Sequence, residues 1–439
     1  MPASRRCPAL LISAPASGQG KTTVTAALAT YWRQQGLRVR VFKTGPDFLD
    51  PMVHAAASGA PCYQLDLWMG DEAHVRELLW QAAGEADVIL VEGVMGLHDG
   101  DASSAALAER LGLPVMAVID GSAMAQTFGA IALGLASYRP GLPFAGVLAN
   151  HVGSAGHAQM LQESLPPGMR WFGALPREAD GSLPSRHLGL VQAEEVNDLP
   201  ARLQPLAQAF DTMNLALPDP VVFHAPAPCA REPATLAGVK VAVARDAAFS
   251  FLYQANLDTL RVLGAEVCFF SPLANEPVPT AASAVYLPGG YPELHLDTLS
   301  QAHRTRDSLR NHHAAGRPLV AECGGLLALG DALSDTQRHT APMWGLVPGT
   351  GHLQARLANL GMQAVDLPEG RLRGHTFHHG RFDSPLVAHC LSQAQRHHGA
   401  PEAVYRLGAL GRLHASFLHL YFPSNPAAVG RLFAPSPFC

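Results

Sequence analysis

Residues 9–23 read ALLISAPASGQGKTT, and the order of their parts decides the fold of the first half of the chain. A short apolar run (9–13) leads into a loop of small residues holding Gly18 and Gly20. Lys21, Thr22 and Thr23 then open an amphipathic stretch that predicts a helix to about Gln35. Glycines let backbone N–H groups turn inward around an anion, and the first turn of a helix adds its positive end. In such a strand–loop–helix unit the amides from Gly18, Gln19 and Gly20 to Thr23 cradle phosphate. Lys21 reaches the β- and γ-phosphates, and the Thr22 hydroxyl is a Mg²⁺ ligand. The strict phosphate-loop pattern has a glycine where this chain has Pro15. An ordinary strand–helix turn can be glycine-rich too, but G-K-T-T at the head of the helix favours a site for ATP with Mg²⁺.

Apolar runs of strand length recur downstream at 38–44, 87–93, 114–120 and 144–152, separated by helix-length spacers. That alternation predicts buried parallel strands in βαβ units. Ligands of open parallel sheets sit beyond the carboxyl ends of the strands. There the chain places Asp47 and Asp50 in FKTGPDFLDP (42–51), and Glu92 and Asp99 in VILVEGVMGLHDG (88–100). Asp47 and Glu92 join Thr22 as expected metal ligands, and Asp50 and Asp99 are expected on the substrate side. Asp50 and Asp99 each precede Pro or Gly, so a turn or cap role is the alternative for both.

The proline-dense stretch 217–234 reads as an interdomain linker. Beyond it the alternation restarts at 240–246, 266–272, 284–290 and 317–325, with a helix near 251–263, and from about 350 it gives way to antiparallel strands and turns. The expected organisation is 1–216, a linker over 217–236, and 237–439. In RPLVAECGGLLALG (317–330), Cys323 sits where an apolar strand meets a helical run, with Gly324 and Gly325 directly after it. A nucleophile on such a turn is exposed and needs small neighbours. A helix N-terminus would also lower the pKa of the thiol. HASFLHLYF (414–422) offers His414 and His419 as its base, with His419 part-way along a strand, and Gly289 and Gly290 in YLPGGYPE offer oxyanion N–H groups. Cys7, Cys62, Cys268, Cys390 and Cys439 read as inert core residues.

Composition narrows the classes. At 439 residues and 48% hydrophobic the chain has material for two cores, and a net charge of −5 gives no footprint for nucleic acid or an anionic membrane. Seven cysteines without a C-x-x-C pair argue against a disulfide framework or zinc site. No apolar run has the length of a signal peptide core or a membrane span, and a cytoplasmic location is expected.

These stretches together resemble the cobyrinic acid a,c-diamide synthases. SGQGKTT, KTGPDFLDP, VEGVMGLHDG and RGHTFHHGRF look like stretches of these synthases, and PLVAECGG, LPGGYPELH and ASFLHLYF like a class I glutamine amidotransferase domain in its cobyric-acid-pathway form. The resemblance implies an α/β fold: a dethiobiotin-synthetase-like P-loop domain followed by a flavodoxin-like glutaminase domain. It implies MgATP- and glutamine-dependent amidation of the a and c carboxylates of cobyrinic or hydrogenobyrinic acid. Cys323 matches the family nucleophile and His419 its histidine. The usual third member, a Glu two residues after that histidine, is Tyr421 here, so a Cys–His dyad is implied. His375 and His378 match the family pattern as substrate-pocket or interface residues, while Thr376, His379 and Gly380 depart from it. Arg371, Arg373 and Arg381 are candidates for ring carboxylates by charge alone. The partners implied are small molecules (corrin carboxylates, glutamine and ATP), with a homodimer left open. Cobyric acid synthase, which amidates other side chains of the ring, is the alternative. Its loop reads S-D-x-G-K-S where this chain has SGQGKT.

Overall fold

The computed structural model describes residues 4–100, 102–177, 198–227, 233–395, 399–408 and 410–435. The chain divides into two units, Met1–Leu67 with Asp71–Pro228, and Trp68–Gly70 with Cys229–Cys439.

The first unit is a sheet of β1 (Ser4–Ser13), β2 (Val39–Thr44), β3 (Tyr63–Leu65), β4 (Val88–Glu92), β5 (Val115–Asp120), β6 (Phe144–Val152), β7 (Trp171–Pro176) and β8 (Pro220–His224). Its order is β3-β2-β4-β1-β5-β6-β7, all parallel, with β8 antiparallel to the start of β1. Both faces of β1 are apolar, and the structure shows why. Ala9 and Leu11 enter one core with Phe42, Ile89 and Val91, while Leu10 and Ile12 enter the other with Val24, Leu28 and Val41. Strands covered by helices on both sides read as continuous apolar runs rather than alternating ones.

Three strands of this sheet do not show in the sequence pattern, each for its own physical reason. β3 is only three residues long, β7 (WFGALP) carries no clean period, and β8 lies inside the proline-dense stretch expected to be linker. Proline is tolerated in a strand at its first residue and on an edge. Pro220 is the first residue of β8, whose partner in register is Pro8. Part of that expected linker, 228–232, lies outside the described residues, as does Cys439.

The second unit has a sheet of β9 (Lys240–Ala244), β10 (Glu266–Phe270), β11 (Ala284–Leu287), β12 (Leu319–Glu322), β19 (Cys390–Leu391), β21 (Ala403–Leu407) and β22 (Leu413–Ser416). The order is β10-β9-β11-β12-β22-β21-β19, parallel as far as β22 and antiparallel beyond. Two further sheets are β14-β13-β15-β18, with β13 (Ala332–Ser334), β14 (Thr340–Pro342), β15 (Thr350–Leu353) and β18 (Gly380–Asp383), and β20-β16-β17-β23. The latter comprises β16 (Asn359–Leu367), β17 (Gly370–His378), β20 (Gln393–Ala394) and β23 (His419–Leu420). HASFLHLYF is therefore not one strand. The chain leaves the parallel sheet after Ser416 and pairs with β17 at His419, so that His375 faces His419 in register. Among the described residues no helix is long and apolar enough to cross a membrane.

Candidate active sites

In the first unit the phosphate loop bends as its glycines allow. Gly18 and Gly20 have φ of +79° and +90°, and a side chain on Gly20 would strike the Asn150 amide. Gln19 ties the loop to neighbouring strand ends: its Oε1 accepts from the Asp120 N–H at 2.9 Å and its carbonyl from Asn150 Nδ2 at 3.0 Å. Thr23 is half-buried in the first turn of the helix Lys21–Gln34. Lys21 is nearly buried and donates to the Ala16 carbonyl at 3.0 Å. Burial holds its pKa below the usual lysine value, partly opposed by Glu92.

Glu92 ends β4, fully buried, and is the hub of this site. Its Oε1 accepts from Thr22 Oγ1 and from Lys43 Nζ, each at 2.9 Å, and its Oε2 meets His54 Nε2. Burial alone would raise its pKa, but Lys43 and His54 together outweigh burial and hold the carboxyl ionised. Lys43 sits in register with Glu92 across β2 and β4. Its ammonium lies 2.6 Å from Asp50 and 3.7 Å from Asp47. Burial opposes that charge, but the three carboxylates exceed it and push the lysine pKa up. Asp47 Oδ1 accepts from the N–H groups of Leu49 and Asp50, at 2.9 and 3.2 Å. Desolvation and then Asp50 push its pKa up to about 7.

The structure thus brings Thr22, Asp47, Asp50 and Glu92 together around Lys43. Asp99 instead accepts from the Gly96 N–H at 2.8 Å, closing its own turn. Lys43 and His54 were not singled out from sequence. Lys43 becomes visible as a site residue only once β2 is known to lie beside β4.

In the second unit Cys323 has φ +48° and is 6% exposed. A side chain in that backbone region is strained by roughly 1–3 kcal/mol, as at nucleophile turns. The glycines around it are spacing requirements. A side chain on Gly289 would collide with the His419 ring and lie 3.3 Å from Cys323 Cβ. One on Gly324 would lie 3.0 Å from the Gly290 nitrogen, and one on Gly290 would strike the Ala248 carbonyl. Gly289, Gly290, Cys323 and His419 are therefore one cluster.

The expected lowering of the Cys323 pKa does not hold. The helix after it spans only Gly324–Leu329, and burial, then the charge of Glu293, push the thiol well above its ordinary value. His419 is equally buried, and burial, then His375 and His378, hold its pKa well below that of free histidine. The resting pair is a neutral thiol beside a neutral imidazole.

His375 and His378, expected as substrate-pocket or interface residues, pack into the second unit. Both are buried; His375 stacks on His419 with ring centroids 5.0 Å apart, and burial lowers its pKa to about 3. His378 stacks on Phe417, contacts the Gly380 carbonyl at 2.7 Å and meets Glu402 at 2.8 Å. Arg371 and Arg381 are paired with Asp366 and Asp383. His414 is buried in β22. Tyr421 packs edge-on against Tyr253, 5.5 Å between centroids. Cys7 and Cys62 are buried as expected, whereas Cys268 and Cys390 are only half-buried.

Two family descriptions match. Residues 10–191 match the CobQ/CobB/MinD/ParA nucleotide binding domain, and residues 240–427 the CobB/CobQ-like glutamine amidotransferase domain. A hydrogenobyrinate a,c-diamide synthase of Stutzerimonas stutzeri is 60% identical over 433 residues, covering 98% of this chain and 100% of its own length. One from Pseudomonas aeruginosa is 59% identical over 432 residues, covering 98% of both chains. A cobyrinate a,c-diamide synthase of Herminiimonas arsenicoxydans is 49% identical, covering 97% of this chain and 96% of its own.

A resting thiol with a raised pKa is a slow nucleophile, because only the thiolate attacks. At pH 7 and without substrates, Cys323 is expected to take up iodoacetamide at least about tenfold more slowly than an unstructured cysteine peptide. Mass spectrometry of the labelled peptide measures this, and a rate equal to the free peptide's would contradict the neutral resting pair.

Proposed function

This chain belongs to the family of hydrogenobyrinate and cobyrinate a,c-diamide synthases, and from that membership we propose how its two sites divide the work. The protein is a glutamine-dependent amide-forming ligase of cobalamin biosynthesis, acting on the a and c side-chain carboxylates of cobyrinic acid or its cobalt-free counterpart. Full-length identity of 60% to a synthase of that name is the observation that carries this reading, ahead of cobyric acid synthase. The relatives at 60% and 59% both bear the hydrogenobyrinate name, which favours the cobalt-free ring.

A carboxylate is a poor electrophile and hydroxide a poor leaving group, so ammonia alone does not form the amide. ATP supplies the driving force in the first unit. A substrate carboxylate oxygen bonds to the γ-phosphorus as the bond to ADP breaks. Ammonia then attacks the acyl carbon, and phosphate leaves with the C–O electron pair. Lys21 and the amides of Gly18 to Thr23 stabilise the charge spread over the phosphoryl oxygens.

The oxygen donors Thr22, Asp47 and Glu92 fit Mg²⁺, a hard cation that takes one or two carboxylates and keeps phosphate and water as its other ligands. Asp47 with its raised pKa is a carboxyl that a nearby cation would ionise. When bound, Mg²⁺ neutralises phosphate charge. Lys43 and His54 hold Glu92 ionised and oriented for it. Asp50, held by Lys43, is assigned to the substrate side, and Asp99 to shaping the loop beside it.

In the second unit Cys323 attacks the glutamine side-chain amide, and His419 takes the thiol proton and passes it to the departing ammonia. The N–H groups of Gly290 and its neighbours, with that of Gly324 directly after the nucleophile, stabilise the oxyanion. Water then hydrolyses the thioester to glutamate. The reaction consumes cytoplasmic metabolites, and we assign the enzyme to that compartment.

Cys323→Ser is expected to abolish amidation with glutamine while leaving amidation with ammonium salts within about threefold of wild type. Loss of both activities would contradict two separable sites. Glu92→Gln is expected to lower kcat with either nitrogen source by about 100-fold, the scale of removing one transition-state electrostatic contact. Steady-state kinetics on ammonia checks it, and an unchanged kcat would remove Glu92 from the machinery.

A further inference from the structure

Glu322, the residue before the nucleophile, is a buried carboxyl at the end of β12, 1% exposed. Its two oxygens reach all three segments that carry the glutaminase groups. Oε1 accepts from the N–H of Leu420, the neighbour of His419, at 3.1 Å. Oε2 accepts from the hydroxyl of Tyr286 at 2.8 Å, and β11, which carries Tyr286, runs on into Gly289 and Gly290. Oε2 also lies 3.9 Å from His419 Nδ1. The backbone of Glu322 itself continues into Cys323.

Burying a carboxyl is costly, and an apolar side chain would end a buried strand at lower cost. The contacts explain its presence. β22 and β23 belong to different sheets, so no continuous strand ladder fixes His419 relative to Cys323. A single acid that bonds the Leu420 amide, takes the Tyr286 hydroxyl and faces the histidine supplies that link. Tyr421, at the position where the family's third member is expected, packs on Tyr253 instead.

We propose that Glu322 is the positioning residue of the glutaminase, in place of the absent third member. The proposal rests on the reading of Cys323 and His419 given above. Glu322 holds the Cys323 turn, the Gly289–Gly290 loop and the His419 segment in one register, and through the Leu420 N–H it fixes where the imidazole that takes the thiol proton stands. Burial raises its own pKa to about 8, which favours the uncharged acid.

The test compares Cys323→Ser, Glu322→Ala, Glu322→Gln and Tyr286→Phe in the full chain, with glutamine and with ammonium as nitrogen source. Glu322→Ala is expected to lower the glutamine-dependent kcat about 100-fold with the KM for glutamine within about threefold, and to leave ammonia-dependent turnover intact. Glu322→Gln keeps an acceptor for the Leu420 amide and is expected to recover activity to within about tenfold of wild type. Tyr286→Phe, which removes one contact, is expected to fall about three- to tenfold in kcat, and decides the question should Glu322→Ala not fold. Glutamine-dependent kcat unchanged in Glu322→Ala, or in Tyr286→Phe if that variant must stand in, overturns the proposal. If Cys323→Ser keeps glutamine-dependent activity, the reading of the nucleophile fails. If Cys323→Ser loses it while Glu322→Ala does not, only the role of Glu322 fails.

Discussion

A parallel sheet covered on both faces leaves no room for polar chemistry along its strands. Polar side chains gather where the strands stop, and both sites of this protein obey that constraint. In the first unit Ser13, Lys43 and Glu92 lie at the carboxyl ends of β1, β2 and β4, all buried. In the second unit Glu322 ends β12, Cys323 follows it, and Gly289 and Gly290 lie just beyond β11. Because the ends are buried, each charged or polar group there requires a partner. Lys43 gathers three carboxylates, Glu92 binds three donors, and Glu322 is satisfied by Tyr286 and Leu420.

The two sites solve the cost of burial differently. Around Lys43 opposite charges are packed closely, so that cation and carboxylates sustain one another. Around Cys323 burial dominates and favours the uncharged forms: the thiol and Glu322 are pushed up, His419 and His375 down. Such a neutral pair suits the proposed nucleophile, which need ionise only when glutamine is bound. A cluster of closely packed opposite charges suits the proposed site for a polyanion with a divalent cation.

Legibility in the sequence followed the same physics. Local signals were readable: the loop glycines with Lys21 and Thr22, the double glycine after Cys323, and the apolar runs of the parallel strands all declare themselves within a dozen residues. What depended on strand order was not readable. Lys43 belongs to the site because β2 neighbours β4, and His54 because the helix Leu49–Ser58 packs back towards Glu92. His375 and His378 looked available because nothing in GHTFHHGRF announces burial, yet one stacks on His419 and the other on Phe417. Proline density hid β8, since an edge strand can hold proline at its first residue. The thiol pKa was misjudged because sequence shows the start of a helix but not its length or the burial of its first turn.

An a,c-diamide synthase forms two amides, on the a and c side chains, and stops. The direct measurement is mass spectrometry of product formed with ATP and glutamine, given hydrogenobyrinic acid and cobyrinic acid in parallel. The account predicts two successive replacements of a carboxyl OH by NH₂ and no third, faster on the cobalt-free ring. Further amidation beyond the second, or no change in either ring, would contradict it.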